Sequence, residues 1–469
     1  MSKIFLMIML LCQGIGLSPL TYAHSISDQA NLLPYAAPCE AVKPDSDLLS
    51  TLNKQLVTVS AKQRNQVIEE FWQQITTTQT PIIEKLSESS SRVIYLWRGA
   101  KHNVRLVGGP SNDHEWLTRI PNTDIWFKEA IVQNDFIGSY SFAVDIKNVD
   151  GYLSNECPHL NPTLKESREQ RMALRESFQL DAYNSKRWLA QDIAGLRNEN
   201  ILILDQAPKF INPSHYPQRT LQFKALNLKS NILNNQRKIS IYQSIKKNPE
   251  QSYITAIFFD GNEYAHLLDV PKALDILVEQ GKLPPIQAVF IDPIDAKTRP
   301  KELTPNPDFS QFFQKEFLPW LDQQIERDVS KTVLLGSSLG GLSSAYIALE
   351  NPTQISHVVP LSGSFWWQKD NTDEPNGMSH IIRNTTLPIK QHWFISANSY
   401  ETSRAHNELS ILNTSPIVAH DLKEKGQDVV FKTYTGGHSY AVWQVVLQDA
   451  LQHFFMKNMY KTDSMKLDE

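Results

Sequence analysis

Cysteine is scarce in this chain: Cys12, Cys39 and Cys157 are the only three in 469 residues. No Cys or His set falls at the spacing of a structural or catalytic zinc site. No glycine-rich loop precedes the Lys-Ser/Thr pair of a phosphate cradle. No metal and no cofactor is therefore expected. An excess of one charge is also lacking, since 46 Lys and Arg face 50 Asp and Glu, for a formal net charge of −4. A nucleic-acid-binding domain would carry a basic surplus, so that class is set aside. A local basic pocket for a small anion stays compatible with such a total. Internal repeats and low-complexity tracts are missing. So is a membrane-spanning stretch: the apolar run Ile4–Cys12 is too short.

That short run has a meaning of its own. Lys3, the run Ile4–Cys12 and the segment Leu17–Ala23 follow the pattern of a secretory signal, residues 1–23, with cleavage expected after Thr21-Tyr22-Ala23. Leu11 stands before Cys12 where a lipoprotein signal needs a small residue, so no membrane anchor is expected. Removal of the leader leaves Cys39 and Cys157, which an oxidising compartment would join; two separate buried thiols are the alternative.

The remaining composition, 41% hydrophobic and 20% charged, is that of a globular chain of two or three domains. One helix is expected over 48–74 and a charged one over 162–178. Between them, Ser91–Arg98, Asp124–Ala130 and Gly138–Asp145 read as strands, the last alternating apolar and polar with period two. Short strands between turns suggest an immunoglobulin-like β-sandwich over residues 24–215. Its tryptophans raise the question of a lid over a second domain. The proline-rich stretch 205–218 marks the boundary. From 216 to 460 the pattern changes to strands (237–242, 253–259, 286–291, 332–335) alternating with helices (270–280, 308–327), the signature of an α/β domain on a mostly parallel sheet.

In that second domain Val333-Leu334-Leu335 runs into Gly336-Ser337-Ser338-Leu339-Gly340, followed by the helical Leu342–Leu349. Strand, G-x-S-x-G turn and helix are the setting of a nucleophile elbow. Ser338 is the candidate nucleophile at the tip, and the Leu339 N–H is a candidate oxyanion donor. A serine hydroxyl needs a base. His438, on the loop Tyr434-Thr435-Gly436-Gly437 before the helical Tyr440–Phe455, has the best setting; His392, His406 and His420 have weaker ones. The acid of an α/β-hydrolase lies between nucleophile and histidine in the chain. Glu401, after the strand Gln391–Ala397, is the first candidate, and Asp370 and Asp373 are rivals.

These residues carry a resemblance. Phe259-Asp260-Gly261, Ile291-Asp292, Arg299–Leu303, Gly336–Leu342, Ser362–Trp367 and Gly436-Gly437-His438 resemble the enterochelin (enterobactin) esterase family of α/β-hydrolases. Arg119–Trp126, Gly138–Phe142 and Asp181–Asn184 resemble that family's N-terminal β-sandwich. The resemblance covers roughly residues 85–455. It implies hydrolysis of the trilactone of a catecholate siderophore, ferric or iron-free, with release of iron. It also implies Gly261 or Asn262 as second oxyanion donor, and Arg299 as a basic residue near the ligand, unless it pairs with Glu302. Trp366 and Trp367 become pocket wall or core. Members with this N-terminal domain are usually cytoplasmic, whereas the leader here implies a periplasmic enzyme. Rival expectations are a secreted feruloyl or acetyl-xylan type carbohydrate esterase, and a siderophore-binding protein with a decayed site.

Overall fold

The computed structural model describes residues 31–32, 42–110, 115–148, 168–188, 198–221, 223–245, 250–368, 377–402 and 409–456. The leader, the three cysteines with their expected bridge, Asp370, Asp373 and His406 lie outside the described residues. The same holds for the first part of the helix expected over 162–178, of which Arg168–Glu176 is described as helical.

Two helices, Asp47–Thr58 and Ala61–Thr78, stand where one was expected. Ser60 divides them. Its hydroxyl accepts from the Gln63 N–H while the Gln63 side chain accepts from the Ser60 N–H, and this reciprocal cap holds Ser60 extended. Leu52, Leu56, Phe71, Trp72 and Ile75 of this pair pack on Ile94, Leu96, Ile125 and Phe127. Those residues belong to an antiparallel sheet ordered Ile82–Lys85, Ser90–Arg98, Ile125–Gln133, Thr118–Arg119. The intervening Val93 and Tyr95 point the other way, as pleating requires. There, with Trp126 and Val132, they meet Leu106, Tyr140 and Phe142 of a second antiparallel sheet. That sheet is ordered Arg187–Trp188, Glu199–Ile203, Ile137–Val144, Val104–Gly108, Glu115–Trp116, with Phe178–Gln179 beside Ile137–Val144. The result is a β-sandwich with one outer face under helices. Trp72, Trp97, Trp116 and Trp126 sit in its own cores, so they do not form the lid their number suggested.

The second unit is an eight-stranded sheet ordered Phe223–Ser230, Asn235–Gln243, Ile286–Ile291, Ile254–Phe259, Thr332–Ser337, His357–Leu361, His392–Asn398, Asp428–Tyr434. The first two strands are antiparallel additions and the other six run parallel. The strands Ile254–Phe259, Ile286–Ile291, Thr332–Ser337 and His357–Leu361 are buried along their whole length because both faces are covered. Ala256, Phe258, Val333 and Leu335 face the helices Val270–Glu279 and Tyr440–Phe455. Ile257, Phe259 and Leu334 face the helices Leu339–Glu350 and Ile411–Glu424. The edge strand Phe223–Ser230 escaped the sequence reading because it is largely exposed and mixes lysine and asparagine with its leucines. The helix expected over 308–327 is broken by a π-helical turn at Phe313–Phe317. Pro319 follows two residues later and has no N–H to donate to the preceding turn. Among the described residues no helix is long and apolar enough to cross a membrane.

One buried charge pair ties the antiparallel edge to the rest. The Arg237 guanidinium, 1% exposed, donates to both Glu302 oxygens at 3.2 and 2.8 Å and lies against the rings of Phe309 and Phe312. Removing one partner leaves the other as an uncompensated buried charge. Glu302→Ala is expected to cost about 3–5 kcal/mol, read as a lowered urea midpoint. A midpoint unchanged from wild type would show that the pair contributes nothing.

Candidate active site

Because these six strands run parallel, the loops after them gather at one end of the sheet. Chain connections leave the strand Ile254–Phe259 to Ile286–Ile291 on one side, and then cross to Thr332–Ser337 on the other. Such a reversal opens a crevice at the carboxyl ends of the strands, where ligands bind in open α/β sheets. The loops bearing Gly261 and Ser338 flank that crevice.

Ser338 stands between the strand Thr332–Ser337 and the helix Leu339–Glu350 with φ 57° and ψ −119°, a backbone region costly for a residue with a side chain. Its N–H donates to the Leu361 carbonyl at 3.0 Å, and its carbonyl accepts from the Ser364 N–H at 2.9 Å. Its hydroxyl lies 3.3 Å from that of Ser364. Glycine is needed at 336 because a Cβ there would overlap the Gly340 carbonyl. Leu339 opens the helix and is half-buried.

The histidine and acid meet. His438 Nδ1 lies 2.7 Å from Glu401 Oε1, with the imidazole 35% exposed and Glu401 1% exposed. The second Glu401 oxygen accepts from the Asn398 N–H at 2.7 Å. Both residues are held from behind. Asn398 donates to the Gly437 carbonyl and to the Ser362 hydroxyl, which also receives the Trp443 indole N–H at 2.9 Å. The Trp443 ring meets the His438 imidazole edge to face at 4.8 Å. Sequence reasoning passed over Asn398, Ser362 and Trp443. The only hint was Ser362 in the recognised Ser-Gly-Ser stretch. His392 instead lies 2.7 Å from Asp428 at the opposite ends of the strands, and His420 is on the helix Ile411–Glu424.

Arg299 does not pair with Glu302. Its Nε and Nη2 donate to the two Asp260 oxygens at 2.5 and 2.7 Å, while Glu302 is taken by Arg237. Asp260 is fully buried and Arg299 28% exposed at the side chain. Asp260 has φ 55° and immediately precedes Gly261, where a Cβ would come within 2.7 Å of the Asp292 carboxylate and 2.8 Å of the Ile291 amide. The Asn262 N–H acts on Asp292, holding its carboxyl down against burial; both expected second oxyanion donors, Gly261 and Asn262, lie just after the strand Ile254–Phe259. Burial pushes Asp292 up to about 6. Burial and the neighbouring Asp260 carboxylate push Glu263 up to about 8. The two tryptophans separate: Trp366 is 44% exposed, whereas Trp367 packs against the core.

A strained serine turn between a parallel strand and a helix, with a His–carboxylate couple on later loops, defines an α/β-hydrolase. Comparison with known proteins narrows the class. The family described as "Putative esterase" matches residues 230–454, and "Enterochelin esterase, N-terminal" matches 92–211. An iron(III) enterobactin esterase of Dickeya dadantii is 27% identical over 82% of this chain and 92% of its own length. One from Yersinia enterocolitica is 27% identical over 67% and 91%. The fold is that of a crystal structure of an enterobactin esterase from Shigella flexneri in the presence of enterobactin, at 24% identity and a TM-score of 0.64, covering 82% of this chain and 97% of that one. The chain belongs to the enterochelin esterase family.

The raised Glu263 has a consequence for stability. Unfolding returns its carboxyl to the ordinary value of 4.5. Between 4.5 and about 8 the folded chain therefore holds a proton that the unfolded chain has lost, and stability falls as pH rises through that window. Glu263→Gln, which cannot ionise, is expected to gain on wild type from about pH 5 to about pH 8 and to keep that gain above it. Thermal melts of both proteins across the range measure the difference; a gap independent of pH would contradict it.

Proposed function

We propose that this chain is a serine esterase that hydrolyses the trilactone backbone of an enterobactin-type catecholate siderophore and so releases its iron. The observation that carries the reading is the 2.7 Å His438–Glu401 couple on the loops beside the strained Ser338 turn, in a chain whose two halves match the two parts of one esterase family. The named relatives favour it over a feruloyl or acetyl-xylan esterase. The reading takes the division between the two units at residues 215 and 216, between the two family matches.

In this reading the Ser338 oxygen attacks a lactone carbonyl carbon and His438 takes the hydroxyl proton. Glu401 holds the Nδ1–H and stabilises the imidazolium. The Leu339 and Gly261 amides receive the charge of the tetrahedral oxygen. Collapse breaks the acyl–oxygen bond, and His438 returns the proton to the departing alkoxide. Water, deprotonated by His438, then frees Ser338. The exposed face of Arg299 and the ring of Trp366 are assigned to the anionic, aromatic ligand. A ferric tris-catecholate is trianionic, and catechol rings suit an aromatic wall. The leader 1–23 places the enzyme in the periplasm, acting on siderophore that has crossed the outer membrane alone.

Chromatography of products from enterobactin and its ferric complex tests the reaction. Linear and monomeric dihydroxybenzoylserine are expected from wild type and none from Ser338→Ala. Glu401→Gln, which can present an N–H to Nδ1 and favours the wrong tautomer, is expected to lower kcat about 10⁴-fold. Hydrolysis of aryl esters without any attack on the trilactone would move the substrate elsewhere. For the location, the mature protein in a periplasmic extract is expected to begin at His24; an intact Met1 on active protein would overturn the secretory reading.

A further inference from the structure

The β-sandwich reaches into the site through two loops. Ile137, which begins its long central strand, donates its N–H to the Thr435 carbonyl at 3.0 Å and forms a parallel bridge with Gly436. Gly436 must be glycine there, since a Cβ would overlap the Ile137 carbonyl. The Thr435 hydroxyl donates to the Gln133 side chain at 3.1 Å. Phe136 meets the Tyr400 ring at 5.6 Å, and the Tyr400 N–H closes the circuit on the Gly436 carbonyl at 3.0 Å. The residues 133–137 are thus lodged against both loops, beside Glu401 on one and His438 on the other. Ile137 and Ile201 share a core with Tyr434, Val442 and Val445 of the second unit.

A directional chain of hydrogen bonds runs through the same contact. The Ser439 oxygen accepts from the Ala441 N–H at 3.0 Å as the cap of the last helix. Ser139 donates its hydroxyl proton to Glu199 Oε2 at 2.5 Å. The 2.7 Å contact between the Ser439 and Ser139 oxygens is therefore made with Ser439 as donor. Proton order runs from Ala441 through Ser439 and Ser139 to a carboxylate, and each link polarises the next. Ser439 is the residue after His438, and both serines are buried.

We propose that Ser139 and Glu199 are positioning residues for the base His438, and that the sandwich serves as the fixed support of the His438–Glu401 couple rather than as a cover. This rests on the reading of Ser338 and His438 as nucleophile and base. The support acts through Ser439 and the Thr435–Gly437 backbone on the imidazole. Loosening it lowers the rate of proton removal from Ser338 while substrate binding is untouched.

The test measures two quantities on intact protein: kcat and KM with an aryl ester, and the rate at which a fluorophosphonate labels Ser338. In the labelling step the Ser338 oxygen bonds phosphorus, fluoride leaves and His438 takes the hydroxyl proton, so it reads the base without any siderophore. Ser139→Ala is expected to lower both kcat and the labelling rate about tenfold with KM unchanged, the scale of one buried hydrogen bond. Ser139→Thr, which keeps the hydroxyl, restores most of both. Glu199→Gln, which still offers an oxygen to Ser139, loses less than Ser139→Ala. Labelling of Ser139→Ala at the wild-type rate, while His438→Ala is inert, would overturn the support and leave the base assignment standing. His438→Ala labelling at the wild-type rate would remove the base itself and the proposal with it. A fall in Ser139→Ala that Ser139→Thr does not restore would overturn the hydroxyl's role.

Discussion

Everything at the candidate site depends on one close approach of backbone to backbone, that of Gly336 against Gly340. Only two residues without side chains let the end of the central strand press on the first turn of the following helix. Between them Ser338 has no room for an ordinary conformation and takes φ 57°. Such a residue costs of order 1–3 kcal/mol and persists only where its surroundings over-determine it. They do so here: Leu361 takes its N–H, Ser364 gives to its carbonyl, and the helix core behind it, Leu342 and Ala345, is fully buried. The hydroxyl is lifted to the crevice because the backbone has nowhere else to go.

The other groups are arranged around that fixed point by charge compensation. Asp260, in its own left-handed conformation, would be an untenable buried carboxylate without Arg299. Its oxygen also fits closely behind Gly340, where an added Cβ would stand 3.0 Å from it. The Asp260–Arg299 pair therefore joins the loop carrying Gly261 to the elbow carrying Ser338. Glu401 is treated differently. It is buried with an imidazole and a backbone N–H as partners, an arrangement that in the proposed reaction suits a carboxylate facing a histidine that gains and loses charge.

Much of this was legible in residue order. The G-x-S-x-G turn, the glycine-rich loop before His438 and Glu401 after the penultimate strand were all found by asking where a parallel sheet delivers its loops. Local signals failed where distant residues decided. Arg299 and Glu302 lie three apart and read as neighbours, yet Arg237, from a strand 65 positions before Glu302, takes that carboxylate, and Asp260 takes the arginine. The division of the first helix at Ser60 was present in the sequence as Ser60-Ala61-Lys62-Gln63, a capping pattern that the continuous apolar period on either side concealed. The tryptophans of the sandwich suggested a cover because exposure cannot be read from composition. Helices on the outer face of the sheet and a second sheet on the inner one absorb four of them.

The same ledger of charges bears on an anionic ligand. Four carboxylates, Asp260, Glu263, Asp292 and Glu401, follow the carboxyl ends of three parallel strands, which at first sight should repel an anion. Their states say otherwise. Asp260 is neutralised by a bidentate guanidinium and Glu401 faces His438. Burial and the Asp260 carboxylate push Glu263 up to about 8, toward its neutral form, and Lys238 acts on Asp292 against the burial that raises it. The net charge on those loops is thus less negative than four carboxylates suggest. In the proposed reaction, that lower charge leaves the negative oxygen of the tetrahedral state to be stabilised by amide dipoles, with little repulsion from the neighbouring loops. Burial at the Gly261 loop accordingly does two things at once. It fixes the backbone at Gly261, and it favours the neutral form of Glu263 beside Asp260.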